Sequence, residues 1–205
     1  EDTCLALDAG PLTVLAVCDG HHGHWASHGI AEVLAEVESL PSDPLSALRL
    51  VASLAQPIEE DAVDLPEDLL DARTTLLLAV VDRTRRRLFG ISYGDSSIFV
   101  VSPRGLPVRA NAKNERYVTP WLPDSLDPRA AHEFVADFVP GDLLVACTDG
   151  IDECHYRSPQ TSVGSEQIWS LLLASESLPE AFAGRLAAMA LQGVGGHPGG
   201  QDSLA

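Results

Sequence analysis

Val17-Cys18-Asp19-Gly20-His21-His22-Gly23-His24-Trp25 follows directly on the apolar run Leu12-Thr13-Val14-Leu15-Ala16-Val17. A carboxylate, a glycine and several imidazoles therefore stand where a buried strand ends and the chain must turn. The sheet fixes the backbone of an aspartate at such a position while its side chain points into a cleft, and Gly20 leaves its own carbonyl accessible. Oxygen ligands of this kind suit a hard divalent cation. One Asp-Gly pair is an ordinary turn, but here the pattern recurs. Thr148-Asp149-Gly150 follows Leu143-Leu144-Val145-Ala146-Cys147, Gly94-Asp95 precedes Ser96-Ser97-Ile98-Phe99-Val100-Val101, and Asp202 closes Gly199-Gly200-Gln201-Asp202.

A chain of 205 residues with 45% apolar content suits one domain with a substantial core. Its formal net charge of −17 argues against a nucleic-acid surface, which needs clustered Lys and Arg. The basic run Arg83-Thr84-Arg85-Arg86-Arg87 lies between two apolar strands and reads as a solvated hairpin turn. Cys4, Cys18, Cys147 and Cys154 form no Cys-x-x-Cys pair, and Cys18 and Cys147 fall inside apolar strands as buried thiols. No window approaches the roughly 20 apolar residues of a membrane span, and no signal-like segment opens the sequence. The expectation is a cytoplasmic monomer that binds neither nucleic acid nor membrane, with short flanking segments beyond both ends of a single domain over residues 1–205.

In chain order, Thr3 to Leu7 and the strand ending at Asp19 make an antiparallel hairpin across Gly10-Pro11, which brings Glu1-Asp2 to the Asp19-Gly20 end. Helical spacing of Ala26, Ile30, Val33, Leu34 and Val37 predicts a helix from Trp25 to Leu40 that Pro41 closes. A second helix is expected from Pro44 to Leu54, carrying Leu45, Leu48, Leu50 and Val51. Gln56 to Glu67 reads as an acidic surface connection. Strands over Ala72 to Val81, Leu88 to Asp95 and Ser97 to Ser102 read as a meander, and Asn111 to Ala136 as a long irregular flap. After the strand Leu143 to Cys147, helices are expected over Ser165 to Leu173 and Leu178 to Leu191, then a glycine-rich approach to Asp202.

Taken together, Glu1-Asp2, Asp19-Gly20-His21-His22-Gly23-His24, Tyr93-Gly94-Asp95-Ser96, Pro140-Gly141-Asp142-Leu143-Leu144 with Thr148-Asp149-Gly150, and Gly199-Gly200-Gln201-Asp202 resemble the metal-dependent serine/threonine phosphatases of the PPM (PP2C) family. The resemblance covers essentially the whole chain. It implies an α+β fold, a four-layer αββα sandwich with two central antiparallel sheets flanked by helices. It further implies that Asp19 bridges two Mn²⁺ or Mg²⁺ ions, that Asp149 and Asp202 complete one ion's shell, and that Glu1 with the Gly20 carbonyl serves the other. Asp2 would orient a metal-bound water. In such a site a hydroxide bridging the ions attacks phosphorus directly, and His21 matches the histidine that protonates the departing alkoxide. Asp95, with Asp152 or Glu153, matches positions that hold a third ion in some members. The implied substrate is a phosphoserine or phosphothreonine protein, in a signalling role.

The chain departs from the family pattern at His22, which takes a glycine position, at Ala72-Arg73-Thr74-Thr75, at Ser97 and at Ser203. Arg73 is read either as solvent-facing at the strand's start or as a phosphate contact. In the unusual flap, Lys113 and Arg116 are candidate contacts to an anionic substrate or else surface charges, and a small phosphorylated metabolite is the alternative substrate. A pseudophosphatase that binds a protein partner is the competing class. It gives no reason to keep mutually repelling carboxylates at one point. A zinc site built from His21, His22, His24 and His28 lacks any His-Glu-x-x-His pattern or paired cysteines, and no Gly-x-Ser-x-Gly elbow supports a serine hydrolase.

Overall fold

In the computed structural model the chain begins with β1 (Thr3–Ala9), β2 (Leu12–Cys18), β3 (Gly20–His21), α1 (Trp25–Ala35) and α2 (Pro44–Ser53). It continues through β4 (Arg73–Thr74), β5 (Leu76–Asp82), β6 (Arg87–Tyr93), β7 (Ser97–Ser102), β8 (Gly105–Arg109), β9 (His132–Asp137) and β10 (Leu143–Cys147), and then α3 (Asp149–Asp152), α4 (Ser165–Ala174) and α5 (Pro179–Gln192). The structure describes residues 1–54, 69, 71–121, 123–154, 162–174, 179–194 and 199–200. The expected connection from Gln56 to Glu67, the start of the last helix at Leu178, and Asp202 lie outside the described residues.

Two antiparallel sheets form the centre, one in the order β1-β2-β5-β6-β9 and the other in the order β10-β7-β8. Their layering follows from side-chain alternation, because successive residues of a strand face opposite sides. In β5, Leu76, Leu78 and Val80 join Ile30 and Leu34 of α1 and Ala47 and Val51 of α2, while Leu77, Ala79 and Val81 face the second sheet with Val17, Ile98 and Phe134. In β7 the same alternation sends Ile98 between the sheets and Phe99 and Val101 toward Ile168 of α4 and Phe182 and Leu186 of α5. Helices thus cover both outer faces, giving the four-layer αββα arrangement. All seven residues of β5 are buried, as expected of a central strand packed on both faces.

Four expectations are corrected. The helix expected to reach Leu40 ends at Ala35: Glu36 leaves helical geometry, and Leu40 packs on the cluster under α1 and α2. In α2 the buried positions are Ala47 and Val51, while Leu45 is 57% exposed. Strands β5 to β7 are not one meander, because β7 leaves β6 at Gly94 (φ +93) and enters the other sheet. The irregular flap is shorter than Asn111 to Ala136, since His132–Asp137 is β9, paired with β6. Its alternation, with Phe134 buried and Val135 52% exposed, is that of an edge strand, obscured in sequence by the prolines before it.

Candidate active site

Registers decide which residues meet. Thr3 pairs with Cys18 in the β1–β2 hairpin, so Glu1-Asp2 lie beside Asp19-Gly20. A Cβ on Gly20 would come within 2.5 Å of the Glu1 carbonyl oxygen, so only glycine allows this approach. The Ser27 hydroxyl of α1 lies 2.5 Å from the same oxygen and pins it from the other side. The Glu1 side chain is exposed at the rim.

Asp19 is 2% exposed, and its backbone is held by two threonines. Its N–H donates to Thr75 Oγ1 at 3.0 Å, and its carbonyl accepts from Thr74 Oγ1 at 2.7 Å and from the Thr75 N–H at 3.0 Å. Thr75 Oγ1 in turn lies 2.7 Å from Ser96 Oγ, which connects the Asp19 corner to the Gly94-Asp95 corner. This clamp is what Ala72-Arg73-Thr74-Thr75 supplies. Two asparagines at the flap's start complete the frame. Asn111 accepts from the Ile98 N–H and donates to the Ser96 carbonyl, and Asn114 Oδ1 accepts from the Gly94 N–H at 2.9 Å. Sequence reasoning takes Thr74, Thr75 and Ser96 only as motif positions and assigns none of these residues a role; the adjacent threonines before a buried run were the available signal.

Carboxylate oxygens of Asp19, Asp95 and Asp149 lie within 4.8 Å of one another. They arrive from three separate places: the end of β2, the sheet-crossing corner after β6, and the first residue of α3. The Asp2 carboxyl also reaches Asp19. His21 Nε2 lies 3.4 Å from Asp19 Oδ2, an ion-pair contact, and the His21 ring meets the edge of Tyr117 at 4.7 Å between centroids. The nearby Asp19 carboxylate raises the proton affinity of His21 above the ordinary histidine value, although burial opposes it. Burial pushes Asp95 up, partly offset by the Lys113 charge. Burial acts in the same direction on Asp19, but contacts with His21, Asp2 and Asp149 together hold it below the usual carboxylate value. The neighbouring thiol of Cys18 is pushed up to about 12 by burial and is inert as a nucleophile.

The remaining candidates fall at different places. Lys113 forms ion pairs with Asp152 at 3.0 Å and Glu153 at 2.6 Å, and its side chain is only 17% exposed. It therefore serves the interior rather than standing as an open surface charge. Arg116 is exposed on the same loop. Arg73 pairs in register with His21, and its exposed guanidinium lies 4.7 Å above the Tyr117 ring. The His24 and His28 rings lie 4.9 Å apart between centroids and tilted by 56°, but among the described residues no metal-ligating group of three includes them.

His22 occupies its family-glycine position with φ +60, so the turn keeps the left-handed form and places a side chain in it. Histidine is among the residues that tolerate this region, whereas a β-branched residue does not. His22→Gly is accordingly expected to change stability by less than about 1 kcal/mol, and His22→Val to cost more than that. Urea unfolding of both variants checks it, and equal midpoints would refute the backbone reading.

The donor set fits a hard divalent cation. Three acidic groups at this spacing repel one another unless a cation lies among them, and Asp95 Oδ1 is buried with no hydrogen-bond donor among the described residues. Among proteins of known structure, a bacterial serine phosphatase superposes with a TM-score of 0.63 at 17% identity, over 91% of this chain and 83% of that one. The S. agalactiae serine/threonine phosphatase gives 0.60 at 16% identity, over 99% and 89%. RsbX in complex with magnesium gives 0.56 at 17% identity, over 91% and 78%. These likenesses establish a common fold. No curated protein matches the chain in sequence. The profile of the family described as Stage II sporulation protein E (SpoIIE) matches residues 12–203, so the chain belongs to the SpoIIE family and has the PP2C-like phosphatase fold.

Proposed function

We propose that this chain is a metal-dependent phosphatase that hydrolyses phosphoserine or phosphothreonine monoesters in proteins. The observation that carries the reading is the convergence of Asp19, Asp95 and Asp149 beside His21 in a member of this family. Asp19 and Asp149, with Asp202, Glu1 and the Gly20 carbonyl, would hold two Mn²⁺ or Mg²⁺ ions, and Asp2 would stand next to them. Such a pair of ions supplies activation of water near neutral pH and neutralises the charge that develops at phosphorus.

The chain's own groups do the rest. The threonine clamp holds Asp19 without spending either of its carboxylate oxygens, because every clamp bond goes to its main chain. His21, whose proton affinity its carboxylate neighbour raises, delivers a proton from Nε2 to the departing serine or threonine oxygen. Arg73, supported by Tyr117 and next to His21 across the β3–β4 pair, forms no ion pair among the described residues and offers its guanidinium to the phosphoryl oxygens. Lys113 is committed to Asp152 and Glu153, so Arg73 replaces it in this role, while Arg116 lines the outer rim of the flap. The exposed side chains of Arg73 and Arg116 suit a phosphorylated segment of a protein.

Hydrolysis of p-nitrophenyl phosphate tests this directly. The rate is expected to depend on Mn²⁺ or Mg²⁺ and to vanish in EDTA, and Arg73→Ala is expected to raise KM roughly tenfold with a smaller loss in kcat. A folded chain inactive with every divalent metal, or active in EDTA, would overturn the proposal.

A further inference from the structure

Behind the three-carboxylate centre lies a second charged group that hydrolysis does not use. Asp152, the last residue of α3, has a side chain only 3% exposed, and three donors converge on it: Arg109 Nη2 at 2.5 Å, Ser97 Oγ at 2.9 Å and Lys113 Nζ at 3.0 Å. Lys113 Nζ also contacts Glu153 Oε1 at 2.6 Å. The same ammonium acts on Asp95, since its charge is the largest influence opposing the burial of that carboxyl. One lysine from the flap therefore pairs with two carboxylates at the end of α3 and acts through its charge on a third at the corner after β6.

An ammonium is a compact point charge whose donors all point outward, and in this setting it does what a metal ion would do for the same oxygens. A divalent ion beside Asp95 would need the carboxylates that Lys113 already neutralises, and would meet its positive charge at close range. We infer that Lys113 is a built-in cation that closes the Asp95 side of the acidic centre to an additional divalent ion, so that Asp152 and Glu153 are not metal ligands in this protein. The inference rests on the metal-dependent reading above for the ions that Asp19 and Asp149 hold. It also gives the flap a second task. By joining loop and α3, Lys113 fixes the helical turn that starts with Asp149.

Counting bound Mn²⁺ per chain by equilibrium dialysis with elemental analysis tests this without any activity assay. Lys113→Gln is expected to bind one more Mn²⁺ than the wild type at saturation, and Lys113→Arg the same number as the wild type. An unchanged count in Lys113→Gln would overturn the inference. Because Lys113→Gln leaves Asp152 with one fewer cation and can fold poorly, Glu153→Gln provides an independent arm at a half-exposed position. Its Mn²⁺ count and affinity are expected to match the wild type, and loss of an ion would make Glu153 a ligand and refute the inference. A wild type that binds no Mn²⁺ would instead sink the phosphatase reading, while a gain of one ion in Lys113→Gln would still support the role of the lysine.

Discussion

Asp149→Asn is expected to lower Mn²⁺-dependent hydrolysis on the order of a thousand-fold, because it removes one negative charge from the centre that must hold the cations, and such cations supply several kcal/mol to the transition state. The same substitution has an opposite effect on the metal-free fold. Asp149 is 7% exposed and has a carboxylate oxygen within 4.8 Å of oxygens of both Asp19 and Asp95, so in EDTA the wild type bears like-charge repulsion that His21 and Lys113 only partly offset. Removing one of the like charges is expected to stabilise the metal-free protein by roughly 1 to 3 kcal/mol, the scale of unit charges at this separation in a partly screened interior. Adding Mn²⁺ should then raise Tm less than it does in the wild type, since binding to the native state alone is what stabilises it. Thermal melts with EDTA and with Mn²⁺, alongside the rate, check all three effects. A variant that keeps more than a tenth of the rate, or melts earlier than the wild type in EDTA, would show that Asp149 belongs to a structural network instead.

The second large effect concerns the fold. Gly90 sits in β6 opposite Ala79 of β5 and Phe134 of β9, and an added Cβ would lie 2.2 Å from the Leu78 carbonyl oxygen and 2.6 Å from Phe134 Cζ. The phenyl ring can turn aside at the expense of the layer between the sheets, but the carbonyl belongs to the central strand and cannot move without breaking its ladder. Gly90→Ala is therefore expected to cost about 3 kcal/mol or more, in the range of severe overpacking. Gly105→Ala provides the matched control. A Cβ there meets nothing within 4 Å, and the expected change is within about 0.5 kcal/mol. Urea midpoints of the two variants give the comparison, and similar values would mean that the strands around Gly90 yield more readily than their packing implies.

Much of this protein is legible in local sequence, and its limits follow from what is local. The apolar runs of β5 and β7, the Pro44 start of α2 and the Asp-Gly junctions each depend on a few adjacent residues, so a reading of the chain recovers them. The aspartates Asp19, Asp95 and Asp149 stood out for the same reason, as each follows or precedes an apolar strand. Asp202 belongs to the same reading and lies outside the described residues. What the sequence by itself determined was β1, β2, β5, β6, β7 and β10 and the residue types at the turns, but not β8 or β9, because backbone preference and side-chain periodicity act over a few residues. Only the tertiary structure decided that β7 crosses to the second sheet, that β9 returns to the first, that Thr74 and Thr75 clamp Asp19, and that Lys113 neutralises Asp152 and Glu153. Those outcomes depend on pairings across tens of residues, where burial and charge compensation select one partner among many that local preference leaves equivalent.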